Sequence, residues 1–220
     1  MPLRPIVILD ESCAHLRGPV AGFSDVSVFR RANGFRTSAL IAARELKDFA
    51  DELGATEALY IAPSFAAYTG LILASERDSP LVGLLLIDPS HPRQGPEAVR
   101  ILADATDDPE VERLRTLLAG FGPTWDESCD AVSRIHRLDR SAVHVLAGDQ
   151  FDLLPSLPAE LKLRLIQNRQ AMLAEYCHLS PRSRFRVVGG AGHDVCHDAP
   201  EAVIAAIRRL IAEVLPMQVS

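Results

Sequence analysis

Six short apolar runs punctuate the chain, at 5–9, 26–30, 58–62, 82–87, 142–147 and 184–188. Most show little alternation of polar and apolar residues. That is the pattern of strands buried on both faces, as in a parallel sheet. Between them the period changes. Over 37–53, Leu46, Phe49, Ala50 and Leu53 recur at helical spacing, and Gly54 stops the pattern. Over 199–215, Val203, Ile207, Leu210, Ile211 and Val214 form one apolar stripe, and Asp198 with Glu201 predicts a capping box at its start. Strands alternating with helices predict a doubly wound α/β fold.

The stretch 91–140 breaks this rhythm. It carries helical patterns at 98–105, 109–119 and 126–137, a Gly120-Phe121-Gly122-Pro123 break, and the only tryptophan, Trp125. An insertion of this length between two strands predicts a small helical cap over the strand ends, within a single domain spanning 1–220.

Composition narrows the class. A 220-residue chain with 48% hydrophobic and 24% charged residues suits one α/β domain. The net charge of −6 argues against nucleic acid or an anionic membrane as partner. No apolar run approaches the ~20 residues that span a bilayer, and no signal peptide is visible, so a cytoplasmic protein is expected. Cys13, Cys129, Cys177 and Cys196 form no C-x-x-C pair and read as reduced thiols.

The chemistry centres on Leu59-Tyr60-Ile61-Ala62-Pro63-Ser64-Phe65-Ala66-Ala67. An apolar strand ends, a serine follows among small residues, and a helix-compatible segment runs over 65–76. This is the layout of an elbow that lifts a nucleophilic hydroxyl above a sheet edge, with alanines where G-x-S-x-G has glycines. Val187-Val188-Gly189-Gly190-Ala191-Gly192-His193 is a strand end, a glycine-rich loop and a histidine that could deprotonate that serine. Val143 to Asp149 is a strand ending in a carboxylate, with Asp152 three residues on. Either could orient the imidazole. His193 and His197 have the H-x-x-x-H spacing of a zinc site, but the loop before His193 argues against the helix such a site needs. No metal or cofactor is expected.

Four further segments fall in order. Asn33-Gly34-Phe35-Arg36-Thr37-Ser38 is similar to a D-x-x-G-x-G-x-S turn, and Arg44-Glu45-Leu46 through Leu53-Gly54 to the helix before the elbow. Leu84-Leu85-Leu86-Ile87-Asp88-Pro89-Ser90-His91 is similar to L-V-L-V-D-P-S-H. Gly192-His193-Asp194 with Asp198-Ala199-Pro200-Glu201 is similar to G-H-x-x-x-x-D-x-P-E. On these segments the chain resembles the α/β-hydrolase superfamily over nearly its whole length. The resemblance implies a mostly parallel six-stranded sheet in the order 2-1-3-4-5-6, with helices on both faces and the family's two N-terminal antiparallel strands missing. It implies Ser64 as nucleophile, His193 as base and Asp149 as acid. Asp88 is the alternative, since some members place the acid there. Asp152 ranks third.

Two features depart from the family pattern. Asp10-Glu11-Ser12 stands where the family has its H-G oxyanion loop, and Ala62 and Ala66 replace the elbow glycines. The amides of Phe65 and Ser12 are the expected oxyanion donors. One such donor is worth about 3–4 kcal/mol in a serine protease. The expected activity is serine-dependent hydrolysis of a small ester, lactone or thioester, with an apolar acyl compound as the small-molecule substrate. The alternatives are a non-hydrolytic cyclase, lyase or isomerase using His193 as base, and a non-catalytic ligand-binding member. Oligomeric state is open.

Overall fold

The computed structural model describes residues 5–32, 37–103, 122–150 and 157–215, with 109, 111–113 and 116 between them. Its strands are β1 (Ile6–Asp10), β2 (Val26–Phe29), β3 (Ala58–Pro63), β4 (Leu81–Ile87), β5 (Ala142–Gly148) and β6 (Ser183–Val188). All five pairings are parallel, and the order is β2-β1-β3-β4-β5-β6. This is the sheet the resemblance implies.

The near-continuous apolar runs have a direct structural cause. Alternate residues of each strand enter different cores. Val7, Leu9, Leu59, Ile61, Leu85 and Ile87 face one layer, with Leu16, Val20, Val203, Ile207 and Leu210. Ile8, Tyr60, Ala62, Leu84, Leu86, Val143 and Val145 face the other. With both faces covered, no strand position on the central strands has to be polar.

The first layer is built from α1 (Arg17–Ala21), reached through the 3-10 turn Glu11–Leu16, and the long C-terminal helix α8 (Pro200–Val214). The second contains α2 (Ala39–Glu52), α3 (Ala66–Ser75) and α5 (Gly122–Ser133). Two expected boundaries shift. The helix expected at 126–137 begins at Gly122 and packs on α2 and α3, where Ser128 Oγ accepts the Ala39 N–H at 3.0 Å. The expected capping box at Asp198 is not formed. The N-cap of α8 is Ala199, and Asp198 instead accepts the Gly192 N–H at 2.7 Å. That bond fixes the histidine loop rather than the helix.

Between β4 and α5, helix α4 (Gln94–Ile101) packs on α6 (Ala159–Ala174). Ile101, Leu102, Val111, Leu157 and Leu165 form a third, smaller apolar cluster there. Of the helix expected at 109–119, only 109, 111–113 and 116 are described. The segment Asn33–Arg36 and Asp152 lie outside the described residues. The short helix α7 (Val195–Asp198) follows the histidine loop. All four cysteines are free thiols. Among the described residues no helix is long and apolar enough to cross a membrane.

Candidate active site

The strand order reverses between β1 and β3, which opens a crevice at their C-terminal ends. Ser64 stands at that edge, between β3 and α3. Its N–H donates to Ile87 O at 2.9 Å, extending the β3–β4 ladder by one rung, and its carbonyl accepts from Ser90 N–H at 3.1 Å. Its φ is +49°, a left-handed conformation that L residues adopt at a cost of roughly 1–3 kcal/mol. The small flanking residues are accounted for. Ala62 and Ala66 are buried in the core beneath the turn, 0% and 1% exposed.

The segments that follow β4 and β6 complete the arrangement. His193 Nε2 lies 3.0 Å from Ser64 Oγ, and His193 Nδ1 lies 2.6 Å from Asp88 Oδ2. A carboxylate only accepts hydrogen bonds, so Nδ1 carries the proton and the Nε2 lone pair faces the serine hydroxyl. Asp88 is the second non-glycine residue with positive φ among the described residues, at +41°, and it is 1% exposed. Its N–H donates to Leu146 O at 2.7 Å, and its Oδ1 accepts from Gly148 N–H at 3.1 Å.

The expected acid Asp149 does something else. Its Oδ1 accepts from Gly190 N–H at 2.8 Å and from Gln150 Nε2 at 3.0 Å. The amides of Asp149 and Gln150 both donate to Ala191 O at 3.0 Å. Asp149 therefore holds the loop that carries His193, and the ring itself faces Asp88. Lateral position is the reason. The imidazole reaches back over β4 towards β3, and Asp88 stands just beyond the end of β4, whereas Asp149 stands just beyond the end of β5.

The expected donor Ser12 is also occupied. Its N–H donates to Asp10 Oδ1 at 3.2 Å, and its hydroxyl bonds the same oxygen. Asp10 is fully buried. Tyr60 Oη donates to its Oδ2 at 3.0 Å, and Arg31 lies 3.7 Å away. Burial beside that carboxylate pushes the Tyr60 phenol well above its ordinary pKa. Asp10 is turned inward, so it does not oppose negative charge at Ser64. The Phe65 amide sits at the start of α3, where an α-helix leaves its first N–H groups without intrahelical acceptors. The Phe65 ring is buried and stacks on Trp125 at 5.1 Å.

Sequence reading missed Arg169. This α6 residue is 6% exposed; its Nη1 donates to Asp88 Oδ2 at 3.1 Å and its Nη2 to Gly148 O at 3.1 Å. A signal existed. Leu161, Leu165, Arg169, Met172 and Leu173 follow one helical stripe, and an arginine there occupies a core position.

His197 does not join His193. It stacks on His15 at 4.0 Å and pairs with Asp194 at 2.8 Å. Among the described residues, no three His, Cys, Asp or Glu side chains cluster in a way that could hold a metal ion.

No protein-family model and no curated protein matches the chain. Solved structures do. An esterase from Thermogutta terrifontis is 17% identical, with a TM-score of 0.57 over 96% of this chain and 90% of that one. MGS-MChE2, an α/β hydrolase from the metagenome of lagoon sediments at Mar Chica, is 15% identical, with a TM-score of 0.56 over 96% and 91%. Est816, an N-acyl homoserine lactone degrading enzyme, is 16% identical, with a TM-score of 0.56 over 94% and 93%. With its sheet order, its elbow and these neighbours, the chain has the fold of the α/β-hydrolase superfamily.

Proposed function

We propose that this protein is a serine hydrolase acting on a small ester, lactone or thioester. The observation that carries the reading is the unbroken chain Ser64–His193–Asp88, at 3.0 and 2.6 Å. Ser64 Oγ attacks the carbonyl carbon while His193 Nε2 takes its proton. Asp88 stabilises the imidazolium that results and keeps the ring in the productive tautomer. His193 then protonates the leaving oxygen or sulfur, and water repeats the sequence on the acyl-enzyme. No cofactor enters any step.

The Phe65 amide is the oxyanion donor this reading uses, at the positive end of α3. With Ser12 N–H held by Asp10, the hole is short of the donor expected there. Activated carbonyls, which need less stabilisation, are the substrates that suit it. In this reading the segment 91–140, which gives Ile101, Leu102 and Val111 to the third apolar cluster, is the cap, and the substrate is an apolar acyl compound. Among the structural neighbours, an esterase and an N-acyl homoserine lactone degrading enzyme fall in the same class.

The same shortage favours a second reading, in which His193 is a base on a bound metabolite without acyl transfer to Ser64. Labelling by a fluorophosphonate probe and hydrolysis of p-nitrophenyl acyl esters separate the two. The hydrolase reading expects both activities in the wild type and neither in Ser64→Ala or His193→Ala. Folded wild type that is neither labelled nor active overturns it.

A further inference from the structure

Arg169 is a buried cation placed against the acid of the candidate triad. Its fork does three things at once. Nη1 donates to Asp88 Oδ2 at 3.1 Å, and Nη2 bridges Gly148 O at 3.1 Å and Gln150 O at 3.3 Å. The oxygen it holds is the same one that accepts from His193 Nδ1. Gly148 N–H holds the other oxygen, and Gln170 Nε2, next along α6, also donates to Gly148 O at 3.1 Å. Asp88 therefore has donors on both oxygens from three elements: β5, α6 and the histidine loop.

We infer that Arg169 is a positioning residue for the reaction, fixing the Asp88 carboxylate so that Oδ2 points at His193 Nδ1. This rests on the serine-hydrolase reading above. Two effects oppose each other. The guanidinium charge disfavours a second positive charge on the imidazole. The bond to Oδ2 from a guanidinium anchored on two backbone carbonyls prevents the carboxylate from rotating away. Geometry wins, because the Asp88–His193 contact is short and a misplacement of about 1 Å in such a site costs on the order of 10²-fold. A buried pair that served stability alone would have no need to share the oxygen used by the histidine. Lysine cannot substitute fully, since its single ammonium lacks the planar fork that reaches a carboxylate and two carbonyls together.

The test is the kinetics of fluorophosphonate inactivation, resolved into kinact and KI, with melting temperature measured alongside. Arg169 lies behind Asp88 and not at the mouth of the site, so Arg169→Met should lower kinact roughly 10- to 100-fold and leave KI within about twofold. Arg169→Lys should recover part of kinact. If Arg169→Met does not fold, Arg169→Lys decides alone, with reduced kinact at a near-native melting temperature as the supporting result. Wild-type kinact in a folded variant overturns the inference and leaves the hydrolase reading standing. A loss confined to KI, or a fall in melting temperature with unchanged kinact, also overturns it. Failure of the wild type to be labelled overturns the hydrolase reading and this inference with it.

Discussion

Gly148 ends β5 at the point where the strand meets the loop before His193. A Cβ built there would lie 2.2 Å from Gly192 O and 2.6 Å from Ala191 O. Both are backbone atoms and cannot swing aside. Real Cβ atoms do not come within 3.0 Å of such neighbours, so Gly148→Ala must lift the loop by roughly 0.8 Å or more. The same loop carries the imidazole, whose bond to Ser64 Oγ is 3.0 Å. A shift of that size takes the contact beyond hydrogen-bond range. The expected loss in fluorophosphonate inactivation rate is on the order of 10²-fold. Overpacking of this kind costs about 1–3 kcal/mol, which for a chain of this size lowers Tm by roughly 2–12 °C. Gly189→Ala is the internal control. Its Cβ would meet only Asp149 Oδ2 at 3.7 Å, an ordinary contact, so labelling should stay within about twofold of wild type. Wild-type labelling and Tm in Gly148→Ala, or equal damage in Gly189→Ala, would refute the reasoning.

The two carboxylates should separate cleanly. Asp88→Asn removes the charge that faces the imidazole and allows the wrong tautomer, for a loss of roughly 10³- to 10⁴-fold in inactivation rate. Asp149→Asn keeps an oxygen for Gly190 N–H and should cost roughly threefold or less; the reverse ranking would return the acid's role to Asp149. His91 gives a pH signature of stability. Burial holds its pKa down to about 4 from 6.5, against the attraction of Glu175 and with the Arg93 charge assisting. Its neighbours there are Glu175, Arg93 and the ring of Tyr176. The folded state thus prefers neutral imidazole while the unfolded chain takes up a proton below pH 6.5. Stability from this group is fully present above pH 6.5 and is lost as pH falls towards 4. After allowance for partial exposure the loss is about 1–2 kcal/mol. Urea titrations of wild type and His91→Gln at pH 7 and pH 4.5 read it directly, and an equal fall in both proteins would rule it out.

Much of this molecule is local, and local features are what a sequence carries. Strands buried on both faces have no polar positions to spare, so runs such as Leu59-Tyr60-Ile61-Ala62 announce a covered parallel sheet. The elbow at Ser64 and the glycine loop before His193 are likewise contiguous, because a left-handed turn and a close backbone approach are demands on neighbouring residues. Which carboxylate meets the imidazole was not legible in this way. Asp88 and Asp149 each stand one residue beyond a strand, and nothing along the chain separates them. The side-by-side order of the strands does, since β4 borders the strand that carries Ser64 and β5 does not. Asp198 as a loop anchor, Ser12 turned to Asp10, and Arg169 reaching Asp88 across 81 residues of sequence are of the same kind. Residue types and periodicity determined the layers, and local motifs marked the elbow serine and the loop histidine. Tertiary structure alone decided which charges meet, because a hydrogen bond depends on ångströms between side chains and the chain order carries no such distance.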